Sequence, residues 1–180
     1  MTKNNSERIA IVSDTHGFLD SRVANVVSGC TMAVHAGDIG SAEVIHALAK
    51  RVNTVIAVRG NNDEPAKWDA TGLSVLRDIP EYASVTLPGG VLSVVHGHRV
   101  WGYRDRHDRL RQQFPGARVI VYGHSHHQLC DQDSRPWVVN PGAAGRNRTF
   151  GGPSCLVLYA NHDAWHFKTY RFGALDRKAS

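Results

Sequence analysis

Cysteine is scarce in this chain of 180 residues, which contains Cys30, Cys130 and Cys155 and no others. An odd number of widely spaced cysteines gives no disulfide framework and favours a reducing compartment. The sequence also has no apolar run of the roughly 20 residues that a membrane span requires. Residues 1–7 are too polar for the hydrophobic region of a secretory signal. These absences lead us to expect a cytoplasmic protein that does not enter a membrane.

A strong charge of one sign is absent as well. The formal net charge is +5, and the basic residues are scattered along the chain. This balance favours mild attraction for anionic substrates over stable binding of nucleic acid. Internal repeats, linkers and low-complexity segments are missing, so the length indicates one domain, residues 1–180, with a core at about 8–170. The oligomeric state stays open, and a homo-oligomer is compatible with the sequence.

Five short apolar runs are present, and each ends beside a glycine and beside Asp, Asn or His. They cover residues 8–13, 32–35, 54–58, 91–95 and 118–122. Apolar runs of this length, bounded by turn residues, are typical of buried strands. The first three alternate with helical segments, one capped by Asp20 and one by Ser41. This βαβαβ pattern predicts right-handed crossovers and a parallel sheet.

The second half of the chain predicts hairpins and one more helix. Pro88-Gly89-Gly90 is a turn signal between strands at 82–87 and 91–95, and a strongly charged helix is predicted at 105–113. Shorter strands are predicted at 129–131, 137–140, 155–159 and 164–170. The irregular segment 64–78 is predicted as a loop with at most a short helix. Together these elements predict an α/β fold, a four-layer sandwich of two mixed β-sheets flanked by helices.

The polar residues that follow the five runs are candidate metal ligands. In open α/β sheets, ligands bind at the carboxyl ends of the strands, so these side chains should converge. The candidates are Asp14, His16, Asp38, Asn61, His96, His124 and His126. Oxygen and imidazole donors without thiolate suit manganese, iron, nickel or zinc. Seven ligands exceed the number that one such ion usually takes, so we expect two ions, bridged by the carboxylate of Asp38.

Five motifs carry a family resemblance. They are Asp14-x-His16, Gly37-Asp38, Gly60-Asn61-Asn62-Asp63, His96-Gly97-His98 and Gly123-His124-x-His126. In this order they resemble the motifs of the calcineurin-like metallophosphoesterases, and the length and spacing are most similar to those of the small YfcE-type phosphodiesterases. The resemblance implies the metallophosphoesterase fold and two divalent metal ions. Manganese is the first choice, with iron, nickel, zinc or magnesium as alternatives.

The resemblance also implies how the ligands divide. One ion would be held by Asp14, His16, Asp38 and His126, and the other by Asp38, Asn61, His96 and His124. Two divalent cations outweigh two carboxylates and one hydroxide, so the site stays positive and can hold a phosphoryl group. We therefore predict a phosphodiesterase in which a metal-bridging hydroxide attacks phosphorus without a phosphoenzyme. The predicted catalytic residues are Asp38, Asn61 and His98.

One position departs from the family pattern. Many members have histidine after the metal-binding asparagine, where this chain has Asn62. The proton for the leaving group would then come from His98 or His127, and substrates with good leaving groups should be favoured. Asn62, Arg146 and Arg148 are candidate substrate contacts, with exposure to solvent as the alternative for the two arginines.

Other interpretations stay open. The same site could serve a phosphomonoesterase or a nucleotide pyrophosphohydrolase acting on a small phosphate ester. The same fold could serve a non-catalytic scaffold that binds proteins, although all seven ligand positions are filled, which favours catalysis. Trp68, Trp101 and Tyr103 are candidates for stacking on a base, whereas His35 and His107 have no ligand context. The sequence does not predict the physiological substrate.

Overall fold

Two β-sheets form the centre of the molecule in the computed structural model, which describes residues 6–100, 102 and 105–174. The strands are β1 (Glu7–Val12), β2 (Met32–His35), β3 (Thr54–Ala57), β4 (Tyr82–Leu87), β5 (Gly90–Val95), β6 (Val119–Val121), β7 (Gln128–Asp131), β8 (Trp137–Pro141), β9 (Ser154–Ala160) and β10 (Trp165–Arg171). The helices are α1 (Ser21–Val27), α2 (Ala42–Ala49), α3 (Leu73–Asp78) and α4 (Arg106–Gln113), with a 3₁₀ turn at Pro65–Lys67.

Both sheets have five strands and are mixed. The first has the order β10-β9-β1-β2-β3, in which β1, β2 and β3 are parallel and β9 and β10 are antiparallel. The second has the order β4-β5-β6-β8-β7, in which β5, β6 and β8 are parallel and the two edge strands are antiparallel. The prediction of two mixed sheets is confirmed.

Strand β1 shows why the sheets and helices stack in layers. Successive side chains of a strand point to opposite faces. Ile9 and Ile11 therefore pack between the two sheets, in a cluster that includes Val121 of β6. Ala10 and Val12 face the other way and pack against the apolar residues of α1 and α2. Each strand residue of β1 from Ile9 onward is fully buried, so this strand lies at the middle of the core.

The outer face of the second sheet is covered by α4. Ile120 and Val138 pack there against Leu110, the fully buried apolar residue of that otherwise charged helix. The layers are thus helices, sheet, sheet and helix, and the predicted four-layer sandwich is confirmed. The longest helices of the described residues have eight residues, far short of the roughly 20 apolar residues that a bilayer span requires.

The segment between β3 and β4 contains the short helix α3. Its start is stabilised by the Asp69 side chain, which accepts from the backbone N–H of Gly72, and it buries Leu76. Trp68 lies in the core, where its Nε1–H donates to Asp63 at 3.2 Å. The prediction that Trp68 stacks on a base is therefore wrong. Trp101 and Tyr103 lie outside the described residues.

The loops that follow the parallel strands of the two sheets meet at one edge. The backbone N–H of Asp14 donates to the carbonyl of Gly37 at 3.0 Å, which joins the loops after β1 and β2. The N–H of Gly123 donates to the carbonyl of His96 at 3.1 Å, which joins the loops after β5 and β6. Finally, the His96 side chain reaches the carbonyl of Ala36 across the two sheets, at 2.7 Å. The fifth motif loop, after β3, joins them through the N–H of Asn62, which donates to Asp38 Oδ1 at 2.8 Å.

Candidate metal centre

The backbone of the loops at this edge is strained. Among the described residues, six non-glycine residues have φ between 47° and 65°, namely Asp14, His16, Asp38, His124, His126 and Arg148. Five of these six are candidate ligands. A left-handed conformation is uncommon outside glycine and costs about 1–3 kcal/mol per residue. Such strain persists where surrounding structure enforces it, and its concentration at one edge indicates a functional constraint.

Four candidate ligands form a tight group. They are Asp14, His16, Asp38 and His126, and one ligand atom of each lies within 4.8 Å of the others. His126 Nε2 is 3.2 Å from Asp14 Oδ1 and 3.3 Å from His16 Nε2. His16 Nε2 is 3.8 Å from Asp38 Oδ2. Ligands that share one ion at about 2.0–2.2 Å are at most about 4.4 Å apart, so the three contacts of 3.2, 3.3 and 3.8 Å suit a common cation.

The other three candidates adjoin this group through Asp38. Its Oδ1 is 3.3 Å from His96 Nε2. His124 Nδ1 lies 3.1 Å from Asn61 Oδ1, and the rings of His96 and His124 are 5.3 Å apart between centroids. The structure therefore brings all seven candidate side chains together, with the carboxylate of Asp38 between the two groups.

Two of the histidines are oriented by backbone carbonyls. His96 Nδ1 lies 2.7 Å from the oxygen of Ala36, and His126 Nδ1 lies 3.2 Å from the oxygen of Arg148. Because a carbonyl oxygen only accepts, each Nδ1 carries a hydrogen, and in the neutral ring Nε2 then presents its lone pair to the acidic cluster. Metal-binding histidines are commonly oriented in this way, with the second ring nitrogen donating to a carbonyl or carboxylate.

Two buried atoms of the cluster, Asp14 Oδ1 and His96 Nε2, have no hydrogen-bond partner among the described residues. Asp14 Oδ1 lies 3.2 Å from His126 Nε2, and His96 Nε2 lies 3.3 Å from Asp38 Oδ1, but neither contact has hydrogen-bond geometry. A buried polar atom without a partner costs about 1–3 kcal/mol. A cation between these atoms would satisfy both, so the residues present fit a metal.

Burial and neighbouring charges set the protonation of the cluster. Burial lowers the pKa of His16 and, together with the charge of His96, that of His124. For His96 burial opposes protonation, but the carboxylate of Asp38 raises its pKa. Burial also disfavours charge on Asp38, yet His96 and Asn62 hold the pKa of that carboxyl well below its usual range. Ionised carboxylate and neutral imidazole are the forms that bind cations.

Asn62 holds the central carboxylate. Its Nδ2 donates to Asp38 Oδ2 at 2.7 Å, and its backbone N–H donates to Asp38 Oδ1 at 2.8 Å. Asp63 stabilises the same loops, because its carboxylate accepts from the backbone N–H groups of Ile39, Gly40 and Gly60. The two residues after Asn61 thus position the candidate ligands.

His98 lies beside the cluster, with its ring 5.5 Å from that of His96. Its Nδ1 is buried and has no partner among the described residues. The side chain lines a cavity of about 270 Å³ together with Asn61 and Arg59. Sequence reasoning missed Arg59, although it directly precedes the Gly60 motif.

Asn140 supports the loop that carries His124 and His126. Its Nδ2 donates to the carbonyl of Gly123 at 2.7 Å and to Ser125 Oγ at 3.1 Å, and its Oδ1 accepts from the N–H of Gly142 at 2.9 Å. The side chain is fully buried. Asn140 therefore positions His124 and His126 by holding the backbone of their loop, without a hydrogen bond to either ring.

The remaining predicted residues lie at the rim. The Arg146 guanidinium carbon lies 3.6 Å from the centre of the Phe18 ring. Arg148 is exposed, and its backbone carbonyl accepts from His126 Nδ1. His127 is also exposed and stacks on Phe150 at 4.1 Å between centroids.

The chain is thus a four-layer α/β sandwich with carboxylates and imidazoles clustered at the ends of its strands, an arrangement that could hold a metal. Residues 8–163 match the model of the calcineurin-like phosphoesterase superfamily domain, and the chain belongs to this family.

Two relatives from one organism are similar in sequence. The chain is 27% identical over 141 residues to the probable metallophosphoesterase MJ0623 of Methanocaldococcus jannaschii, an alignment that covers 75% of this chain and 67% of the relative. It is 26% identical over 146 residues to the phosphodiesterase MJ0936 of the same organism, covering 75% of this chain and 82% of the relative. The family is thus a family of phosphoesterases with metal-dependent members.

Solved structures share the fold. Vps29 from Entamoeba histolytica complexed with Zn²⁺ superposes with a TM-score of 0.72 at 16% identity, covering 92% of this chain and 98% of that chain. A novel archaeal phosphodiesterase superposes with a TM-score of 0.68 at 23% identity, covering 91% of this chain and 99% of that chain. At these identities the likeness establishes the fold alone.

Proposed function

We propose that the chain is a phosphodiesterase that works with two divalent metal ions, manganese first among them. The observation that carries this proposal is the convergence of seven oxygen and imidazole donors in which His96 and His126 present Nε2 to the carboxylates. Two such ions would supply positive charge for a phosphoryl group and a hydroxide nucleophile at neutral pH. Asp14, His16 and His126 would hold one ion, and Asn61, His96 and His124 the other, with Asp38 shared.

The residues around the cluster support the same chemistry. Asn62 keeps the Asp38 carboxylate ionised and oriented. His98, whose pKa is lowered by burial and by the charge of His96, is the candidate that stabilises the substrate or gives a proton to the leaving group. Without a histidine at position 62, substrates with good leaving groups are favoured.

A diester is favoured over a monoester by the space beside the cluster. One cavity of about 270 Å³ contains Asn61 and His98. A second, of about 470 Å³, lies behind the loop that carries His124 and His126 and is lined by Ser125 and His127. Two cavities beside one cluster offer room for the two organic groups of a phosphodiester.

The test compares metal-reconstituted protein with an Asp38→Asn variant. After removal of metal with a chelator and addition of Mn²⁺, the wild-type chain should hydrolyse bis(4-nitrophenyl) phosphate faster than 4-nitrophenyl phosphate. Asp38→Asn should lose bound metal and at least about 100-fold in turnover, since even residues that only orient ligands contribute 10–100-fold. Asp163→Asn, an exposed change of the same chemistry, should behave as wild type.

The second candidate function is protein binding without catalysis on the same fold. This candidate is favoured by the similarity in fold to solved structures of vacuolar protein sorting 29. Wild-type protein that binds Mn²⁺ or Zn²⁺ at the cluster and hydrolyses neither ester would support this role and contradict the phosphodiesterase.

A further inference from the structure

The larger cavity lies on the far side of the loop that holds two candidate ligands. Residues 124–127 alternate along this loop. The His124 and His126 side chains face the candidate ligands Asn61 and Asp14, whereas Ser125 and His127 line the cavity. The backbone of this one loop thus lies between the cluster and the cavity. The same four residues therefore contribute both to the cluster and to the wall of the cavity.

The cavity has the size and character of a small-molecule site. Its volume of about 470 Å³ falls within the range of about 300–1,000 Å³ found for ligand pockets. Among its lining residues, Leu129 is 41% exposed, and the His127 ring stacks on Phe150. Its lining is partly apolar and partly polar, with the Tyr122 side chain and the guanidinium of Arg106 among the lining groups.

Most polar groups of the cavity are already paired. His107 Nδ1 lies 2.6 Å from Asp131 Oδ2, and His107 Nε2 lies 3.1 Å from the hydroxyl of Tyr122. The same Asp131 carboxylate pairs with Arg111 at 2.7 Å. This network fixes the wall of the cavity and leaves no carboxylate of its own directed at Arg106.

Arg106 differs from its neighbours. Its Nε is buried and has no hydrogen-bond partner within the described part of the chain, and no carboxylate there lies within 4.0 Å of it. Arg111 on the same helix, in contrast, pairs with Asp108 and Asp131. The Arg106 guanidinium carbon lies 5.9 Å from the centre of the Tyr122 ring, which forms part of the cavity wall. A half-buried guanidinium without a counter-ion is suited to a carboxylate or phosphate, whose geometry its planar fork matches.

We propose that the cavity holds one organic arm of the phosphodiester and that Arg106 selects an arm carrying a second anionic group. This inference rests on the proposed function and names the substrate class: phosphodiesters with an additional carboxylate or phosphate beyond the scissile phosphorus. Arg106 is then a specificity-determining residue, separate from the metal ligands.

The test uses two symmetrical diesters, so that either arm can enter the cavity. They are bis(4-nitrophenyl) phosphate and bis(3-carboxy-4-nitrophenyl) phosphate, which release similar chromophores. The readout is the ratio of kcat/KM for the carboxylated diester to that for the plain diester. Arg106→Gln should lower this ratio roughly 10- to 100-fold, as expected for a hydrogen bond to a charged group. Arg109→Gln, which removes an exposed arginine of the same helix, should leave it unchanged.

A binding measurement separates failure of this inference from failure of the proposed function. The product, 5-hydroxy-2-nitrobenzoate, is titrated calorimetrically into chelator-treated protein, with 4-nitrophenol as the probe without a carboxylate. Wild type should bind the carboxylated product more tightly, and Arg106→Gln should lose the difference. If neither diester is hydrolysed but this difference is found, the proposed function fails and the anion-selective cavity stands. An unchanged kcat/KM ratio in Arg106→Gln, or equal binding of the two probes by wild type, would overturn the inference.

Discussion

His35 shows how one buried side chain constrains the loops around the cluster. It is fully buried, and its Nε2 lies 2.8 Å from Thr15 Oγ1 while its Nδ1 accepts from the N–H of Gly37 at 3.2 Å. The neutral ring, with its hydrogen on Nε2, satisfies both contacts. A second proton on Nδ1 would face the N–H donor. Burial accordingly lowers the pKa of His35 to about 4.

This pKa predicts a dependence of stability on pH. In the unfolded chain histidine titrates near 6.5, so between pH 6.5 and 4 the unfolded state binds a proton that the folded state does not. The free energy of unfolding of chelator-treated protein should fall as pH is lowered through this window, by up to about 1.4 kcal/mol per pH unit from His35. Urea unfolding at pH 7, 6 and 5 measures the slope. His35→Gln should flatten it, and an equal slope in both proteins would contradict the buried neutral ring.

At the scale of the elements, the loops are shaped by glycines that touch the ligands. A Cβ at Gly60 would overlap Asp38 Oδ1 and the backbone nitrogen of Asp38. A Cβ at Gly123 would overlap Ser13 Oγ and lie 2.9 Å from Asp14 Oδ2. The glycines beside the ligands therefore permit close approach of neighbouring loops.

Gly60→Ala should displace the central carboxylate. Because backbone and side-chain atoms of Asp38 both lie in the way, the added methyl should cost about 1–3 kcal/mol of stability, as for overpacking elsewhere, and should abolish stoichiometric metal binding. Gly116→Ala is the matched control, since no heavy atom lies within 4 Å of its Cβ. Unfolding free energy and metal content measure both effects. Full metal content and wild-type stability in Gly60→Ala would show that Asp38 does not occupy this position.

Strands and candidate ligands could be predicted from the sequence, whereas the backbone conformation of the loops could not. The strands were predictable because their apolar runs end at glycine and polar residues, and the candidate ligands follow from the rule that such ends share an edge. The left-handed backbone of Asp14, Asp38 and His124 was not predictable, because long-range contacts enforce it. The short helix α3 lacks a clear apolar stripe, and its start depends on the local contact between Asp69 and Gly72.

At the scale of the whole molecule, two sheets packed face to face bring loops from both halves of the chain to one edge. The pairing of His107 with Asp131 and Tyr122 depends instead on the packing of α4 against the second sheet. The sequence around His107 gives no sign of these contacts, because its partners lie 24 and 15 residues away and on other elements. The fold class and the cluster could thus be predicted from the motifs, whereas the cavity and the unpaired Arg106 required the tertiary structure.

The central claim is that the seven clustered side chains bind two metal ions. The most direct measurement is a crystal structure of the Mn²⁺-loaded protein, with anomalous diffraction recorded on both sides of the manganese edge. We predict two anomalous peaks separated by the Asp38 carboxylate, one beside Asp14, His16 and His126 and the other beside Asn61, His96 and His124. Manganese found elsewhere on the molecule, with no anomalous density among these side chains, would contradict the account.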